Sequence, residues 1–265
     1  MSSLKTLSEF LGVSYVVAWS VSFYPPLLLN YRLKSSDGLS VDYLFLNIVG
    51  YIALVSSMSL MLFNADVRTR YYERHGYFPL LTTIDLIYSA HGFLLTLITT
   101  SQLYFWGFKS RPGSPKRLTK LIILVVFVVL ASAYYSVGTK NSTREFTLLD
   151  VAVLLSYIKI FMSLIKYIPQ LNHNYKRKSV VGFSILTIVL DTTGGTLSIA
   201  QLFLDAYIMT GSLSWEVLRN NSGKLGLSAV TLFFDACFVY QWYIYKTLPS
   251  HDFEKIEQSK PISLS

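Results

Sequence analysis

The chain has 265 residues, of which 52% are hydrophobic and only 14% charged, and its formal net charge at pH 7 is +8. Soluble domains carry about a quarter charged residues, so this composition excludes an ordinary soluble domain and identifies an integral membrane protein. The lysines and arginines fall in short loops between apolar stretches, where positive-inside bias puts them, and this excludes nucleic acid as the partner.

A hydrocarbon core of roughly 30 Å needs about 20 apolar residues to cross as helix. Stretches of that kind run over 8–29, 41–63, 80–106, 118–138, 147–171, 181–209 and 223–245, which predicts seven spans. No small-residue cleavage site follows the first apolar run, so it reads as a span rather than a cleaved signal. Tyr15, Trp19 and Phe23, with Tyr24 beside them, form a stripe on one face of span one, either a packing surface or the wall of a pocket. Between spans three and four, GFKSRPGSPKRLTK is a basic loop rich in proline and glycine. The lone cysteine, Cys237, lies in an apolar run and cannot form an internal disulfide. The tail from Leu248 is short and polar, with little structure expected.

One stretch occurs twice. Tyr167 to Gly195 reads as an apolar helix ending at Pro169-Gln170, a basic turn, and a second apolar helix bearing Asp191 and Gly194-Gly195. Adding 144 to residue numbers in Tyr24–Gly50 maps Pro25 to Pro169, Asn30 to Asn174, Tyr31 to Tyr175, Lys34 to Lys178, Gly38 to Gly182, Ser40 to Ser184, Asn47 to Asp191 and Gly50 to Gly194, without a gap. A paired motif in two halves of an apolar chain marks a carrier built from repeats. The expected fold is an all-α membrane protein of seven transmembrane helices, with two parallel three-helix bundles (1–106 and 140–247), a loop and linker helix (107–139) between them, and a cytosolic tail (248–265). Pro25 and Pro169 are the expected hinges, because proline removes a backbone donor and breaks the helix.

Two signals orient the chain. Lys and Arg are denser in the loops that are cytosolic if the N-terminus is lumenal, at Arg32 and Lys34, Lys109–Lys120, Lys176–Lys178 and the tail. The sequons at Asn141 and Asn220 fall in loops that this topology makes lumenal, where glycosylation is possible.

Asp85, Lys159, Lys166, Asp191 and Asp235 lie within the expected spans. Each costs at least about 2.5–3.5 kcal/mol near the bilayer centre, so such residues face a bundle interior or a wet cavity. Ion pairing between helices is one reading, and a substrate or proton pathway is the other. Lys159 and Lys166 are seven apart and share a helix face two turns apart, so their charges call for anions between them, from the protein or from a ligand. Asn47 and Asp191 hold equivalent repeat positions, one neutral and one acidic, as a polar anchor and a proton switch would; Asn47 also suits a plain interhelical hydrogen bond. His91 reads as a hydrogen-bonded structural histidine. No His, Cys or acid cluster has metal-ligand spacing, and no nucleophile–base pair or phosphate loop appears, so neither a metal, a cofactor nor an enzyme is expected.

At these residues the chain resembles the PQ-loop family, in its branch of proton-coupled lysosomal cystine exporters, and in particular a short, fungal-type member. AWSVSFYP, GLSVDY and LNIVGY resemble the first motif; SYIK, LIKYIPQ, GFSI, LDTTGG and SIAQLFL resemble the second. The resemblance covers nearly the whole chain. It implies L-cystine and protons as partners, a lipid bilayer of lysosome, vacuole or endosome as the setting, and a central site between two bundles. It implies that Asp191 is the coupling acid and that Asp85 and Asp235 assist proton movement. It places Asn47, Lys159, Lys166, Tyr167, Gln170 and Lys224 on the ligand path, beside which Trp19 and Phe23 are candidate pocket walls. The first motif departs from the pattern, with Pro26 where glutamine is usual; the long lumenal N-terminal region and a tyrosine-based sorting signal have no counterpart here.

A proton-coupled cystine carrier is the leading reading. A carrier of basic amino acids on the same fold is opposed by the two lysines, and a non-transporting receptor for a signalling partner lacks an evident recognition loop. The topology has a direct check. Cysteines placed at Ser114 and Ser142 are expected to react with an impermeant thiol reagent from opposite sides of sealed vesicles; labelling from one side contradicts seven spans.

Overall fold

A computed structural model describes residues 2–79, 81–108, 113–138, 140–141, 144–211 and 222–246. Its helices are α1 (Ser2–Val21), α2 (Tyr24–Leu33), α3 (Val41–Phe63), α4 (Ala65–His75), α5 (Thr83–Tyr104), α6 (Arg117–Tyr135), α7 (Leu148–Ile165), α8 (Tyr167–Arg177), α9 (Ile185–Thr210) and α10 (Ser222–Lys246). Two short strands, β1 (Lys140–Asn141) and β2 (Arg144–Glu145), pair antiparallel between α6 and α7. The protein is an all-α membrane protein. Among the described residues, Ser3–Leu33, Val41–Phe63, Arg117–Tyr135, Leu148–Arg177 and Ile185–Ile208 are long and apolar enough to cross a bilayer. α5 and α10 occupy the third and seventh expected spans. Asn220 and the tail 248–265 lie outside the described residues.

The prolines set the helix breaks. A proline ring clashes with the carbonyl four residues before it and gives that carbonyl no N–H. α1 ends at Val21, four residues before Pro25, and α7 ends at Ile165, four before Pro169. This corrects the expectation that the helix ends at Pro169-Gln170: the break comes at Lys166, and Pro169 sits inside the first turn of α8, where its missing donor is an orphan anyway.

After each break the chain makes the same turn. Asn30 and Asn174 are both fully buried. Ser35 N–H donates to the Asn30 carbonyl at 3.3 Å, and Ser179 N–H to that of Asn174 at 3.4 Å. Lys34 and Lys178 take left-handed backbone angles, φ 51° and 49°, a conformation usually left to glycine at helix ends. Each lays its ammonium over the tyrosine three residues back, Tyr31 at 3.7 Å and Tyr175 at 3.4 Å. Ser40 and Ser184 then cap α3 and α9, accepting from the backbone of Tyr43 and Thr187 at 3.4 Å.

α5 and α7 start from capping boxes. Asp85 Oδ2 accepts from both the backbone and the hydroxyl of Thr82 at 2.7 Å; Asp150 does the same for Thr147 at 2.9 and 2.8 Å. α4 is polar and was not expected from hydropathy. Asn64 caps it, Gly76 ends it, and Arg74 pairs with Asp150 at 3.0 Å.

The chain forms two compact units, one from 1–39, 107–110 and 171–265 and the other from 40–106 and 111–170. In the first, α9 packs on α1 and α10. In the second, α3 packs on α7 and α5, and α7 on α6, around Leu46, Ala53, Val126, Leu155, Ile158 and Met162. Each unit therefore takes helices from both halves of the repeat, and the repeat halves and packing units divide the chain differently.

Within the first unit the two repeated turns meet backbone to backbone: a Cβ on Gly38 would lie 2.0 Å from the Gly182 carbonyl carbon. A backbone cannot swing aside as a side chain can. Gly38→Ala is thus expected to cost at or beyond the upper end of the ~1–3 kcal/mol typical of overpacking. A thermal melt of the variant in detergent checks this, and an unchanged melting temperature contradicts the crossing.

Candidate functional site

The expected site residues fall into two constellations, one in each unit. In the second unit, α3 and α7 lie close because Gly50 faces Met162; a Cβ there would be 3.1 Å from Met162 Cβ and 3.6 Å from Lys159 Cδ. Lys159 and Lys166 share one face of this contact, as their spacing predicted. Lys159 Nζ stands 4.1 Å from the centre of the buried Tyr51 ring. Lys166 Nζ donates to Asn47 Oδ1 at 3.0 Å and lies 4.8 and 5.6 Å from the Tyr167 and Tyr43 rings.

Asn47 is buried and passes the polarity on. Its Nδ2 donates to Thr96 Oγ1 at 3.3 Å, and that hydroxyl donates to the Gly92 carbonyl at 2.8 Å. A line of directed hydrogen bonds thus runs from α7 through α3 to α5. It holds the Lys166 ammonium at the side-chain oxygen of an amide. Gln170 is buried in the same unit, where its Oε1 accepts the Ser40 N–H at 2.8 Å and so fastens α8 to the start of α3. The repeat-equivalent Pro26 has no amide with which to make such a bond.

In the first unit, Gly194 on α9 admits the Trp19 ring. A Cβ there would be 2.5 Å from Trp19 Cδ1. Trp19 Nε1 donates to the Asp191 carbonyl at 3.3 Å, and Tyr15 meets the Trp19 ring edge-on at 5.1 Å. The aromatic stripe of span one is therefore packed against the Asp191 turn. Asp191 is half-buried. Its neighbour Thr192 donates to Asp235 Oδ2 at 2.9 Å, and Asp235 is only 1% exposed. Asp235 on α10 thus meets α9 at Thr192, the residue that follows Asp191 in the chain. Phe23 is half-buried at the α1–α2 break, Pro25 follows it, and the Lys224 side chain lies outside the described residues.

Asp85 differs from the other acids. Its carboxylate caps α5 at the helix start, so its position has a local structural reason in addition to any part in proton movement. The sequence carried that signal as Thr82 followed three residues later by an acid. Tyr43, Tyr51, Thr96 and Thr192 were missed, because a tyrosine or threonine in an apolar helix carries no charge cost to draw attention. Asp205, which also lies in the expected sixth span, was passed over; it accepts from the Ser8 hydroxyl, and Gln201 Nε2 donates to the Ser8 carbonyl at 3.1 Å. Among the described residues no three His, Cys, Asp or Glu side chains are grouped to hold a metal ion.

The Lys166–Asn47 bond predicts a stability effect. Asn47→Ala removes the acceptor of a half-buried, charged donor, which costs ~1.5–3 kcal/mol. The melting temperature is expected to fall by that measure and to recover partly in a Lys166→Met background, where no ammonium remains to be satisfied.

The PQ loop repeat family model matches residues 7–67 and 151–209, two segments whose starts are offset by the same 144 residues as the motif. The chain is 34% identical over 260 residues to a cystinosin homolog of Dictyostelium discoideum, covering 98% of this chain and 88% of that one. It is 37% identical over 265 residues to a cystinosin homolog of Caenorhabditis briggsae, covering 98% of this chain but 64% of the nematode protein. It is also 36% identical over 252 residues to a cystine transporter of Saccharomyces cerevisiae, with 92% and 96% covered. Amoeba, nematode and yeast stand level, so the expected fungal affinity has no support.

Proposed function

The chain belongs to the PQ-loop family, in its cystinosin branch, and on that premise we propose that it exports L-cystine from an acidic organelle lumen to the cytosol, coupled to protons, by alternating access. The coarser statement needs no proposal: this is a membrane transporter of an amino-acid-like solute, not an enzyme.

The observation that carries the reading is the pair of lysines on one face of α7, with Lys166 anchored by Asn47 and Lys159 set over Tyr51. Two ammonium groups two turns apart favour a ligand with two carboxylates and repel a cationic one. Cystine has two carboxylates, one at each end. The yeast relative's description as a cystine transporter supports the same substrate.

Proton coupling falls to Asp191, with Asp235 bonded by the following residue, Thr192, and Asp85 at the head of α5. Protonation in the acidic lumen neutralises Asp191 and favours the loaded carrier; release to the near-neutral cytosol resets it. Motion is taken up at the breaks before Pro25 and Pro169, where the helix ladder is already interrupted. The reading includes seven spans, a lumenal N-terminus, lumenal Asn141 and Asn220, ligand contacts from Tyr167, Gln170, Lys224, Trp19 and Phe23, and residence in a lysosomal, vacuolar or endosomal membrane.

Reconstitution in proteoliposomes with an acid compartment tests it. Cystine is expected to drive proton current, and arginine is not; current with arginine alone replaces cystine by a basic substrate. Asp191→Asn fixes the neutral form and removes a membrane charge, which lowers insertion cost. The variant is expected at normal folded yield with no proton-driven current. Collapsed yield makes Asp191 a structural partner, and full coupled current removes it from the mechanism.

A further inference from the structure

The segment entering α6 carries a pattern that transport does not use, Ser114-Pro115-Lys116-Arg117. Ser114 is exposed, and its hydroxyl accepts from Lys120 Nζ at 3.3 Å. α6 opens with Lys116 at its N-cap position, without a side-chain acceptor there and without an acid in the first turn. Helix starts ordinarily satisfy their free N–H groups with such acceptors. Here the Lys116 N–H turns to another helix and donates to Asp42 Oδ1 at 2.8 Å, while Lys116 Nζ stands 3.6 Å from Asp42 Oδ2. An exposed hydroxyl, bonded to Lys120 and followed in the chain by Lys116 and Arg117, therefore precedes a helix start whose acid, Asp42, comes from another helix.

We propose that Ser114 is a phosphorylation site for a proline-directed protein kinase that favours basic residues after its target, and that Lys120 and the first turn of α6 hold the phosphate. Pro115 supplies the first requirement, since it has no N–H to leave unpaired in the kinase groove. Lys116 and Arg117 supply the second. In the transfer, the Ser114 hydroxyl gives its proton to the kinase base, its oxygen bonds to the γ-phosphorus of a nucleoside triphosphate, and the bond to the β–γ bridging oxygen breaks to release the diphosphate. The product carries about −1.5 to −2 charges and three acceptor oxygens. It competes with Asp42 for the Lys116 ammonium, and so reaches the first turn of α3, the helix that also carries Asn47.

The proposal rests on the reading that this loop is cytosolic, where the kinase and its triphosphate are. The test therefore has two settings. The full chain in detergent, incubated with a proline-directed kinase and ATP, is expected to gain a phosphoryl group that peptide mapping places on Ser114. Incorporation is expected to be absent from Ser114→Ala and mostly lost from Pro115→Ala. Sealed organelle vesicles with their cytosolic face outward are expected to label equally. Labelling in detergent but not in vesicles upholds the site and overturns the topology. Phosphate at Ser110 instead, or incorporation only after heat denaturation, overturns the site. A phosphorus NMR titration reads the holding groups: the phosphate second pKa, ordinarily about 6, is expected to lie lower in the wild type and to return upward in Lys120→Gln. Equal values in both overturn the role given to Lys120.

Discussion

A proline ring and the carbonyl four residues before it cannot share space, and in this chain that exclusion falls at the same place twice. α1 and α7 stop at Val21 and Ile165, and each is followed by a short helix, a left-handed lysine and a serine-capped long helix. The break fixes the direction in which α2 and α8 leave. That direction carries Gly38 and Gly182 into backbone contact, where only the absence of a side chain permits the approach. It also carries Gln170 to the Ser40 N–H. Cap, crossing and amide bond all depend on the break, because a continuous helix would place none of those residues at a helix start.

The polar groups of the apolar helices are arranged by what their burial costs. Surface pairs such as Arg70 with Asp66 on α4 contribute little, about 0–1 kcal/mol each, and are screened by salt. An ammonium inside an apolar helix pair is a different case, because losing its acceptor costs more than the bond itself contributes. Lys166 is met accordingly by Asn47, which is met by Thr96, which is met by a carbonyl, so each acceptor in the line is itself held. Lys159 has an aromatic face instead. An aromatic face attracts a cation without neutralising it.

Much of this was legible in the sequence, and for physical reasons. Apolar runs of membrane length located the long helices, since hydropathy is set by composition and not by neighbours. The duplicated motif was legible because two copies report the same constraint: Asn30 and Asn174 look unremarkable singly and become informative as a pair. The shared face of Lys159 and Lys166 followed from helical period alone. Which helices pack together was not legible. A membrane helix is apolar on every side, so its pattern does not name its neighbour, and α1 with α9 or α3 with α7 emerges only from the fold. The position of the break was displaced because the proline acts on a carbonyl four residues earlier, not on its own position. Asp85 drew attention as an acid in a span, and that weight concealed the threonine three residues before it.

The two halves share a plan and differ where function would need them to. Gln170 binds the backbone at the start of α3; Pro26, its equivalent, has no group for the start of α9. Asn47 is fixed between a lysine and a threonine, whereas Asp191 has a tryptophan on its carbonyl and is followed by Thr192, which bonds a second acid, Asp235. A symmetric pair of sites would have equal energies in their two arrangements and no preferred response to a proton. Replacing one amide by a carboxylate removes that equality, because a carboxylate can carry a charge that an amide cannot. The turns, caps and crossing glycines are alike in the two halves because both copies meet the same backbone geometry, a left-handed lysine and a serine cap, whereas the polar positions meet different neighbours in each half.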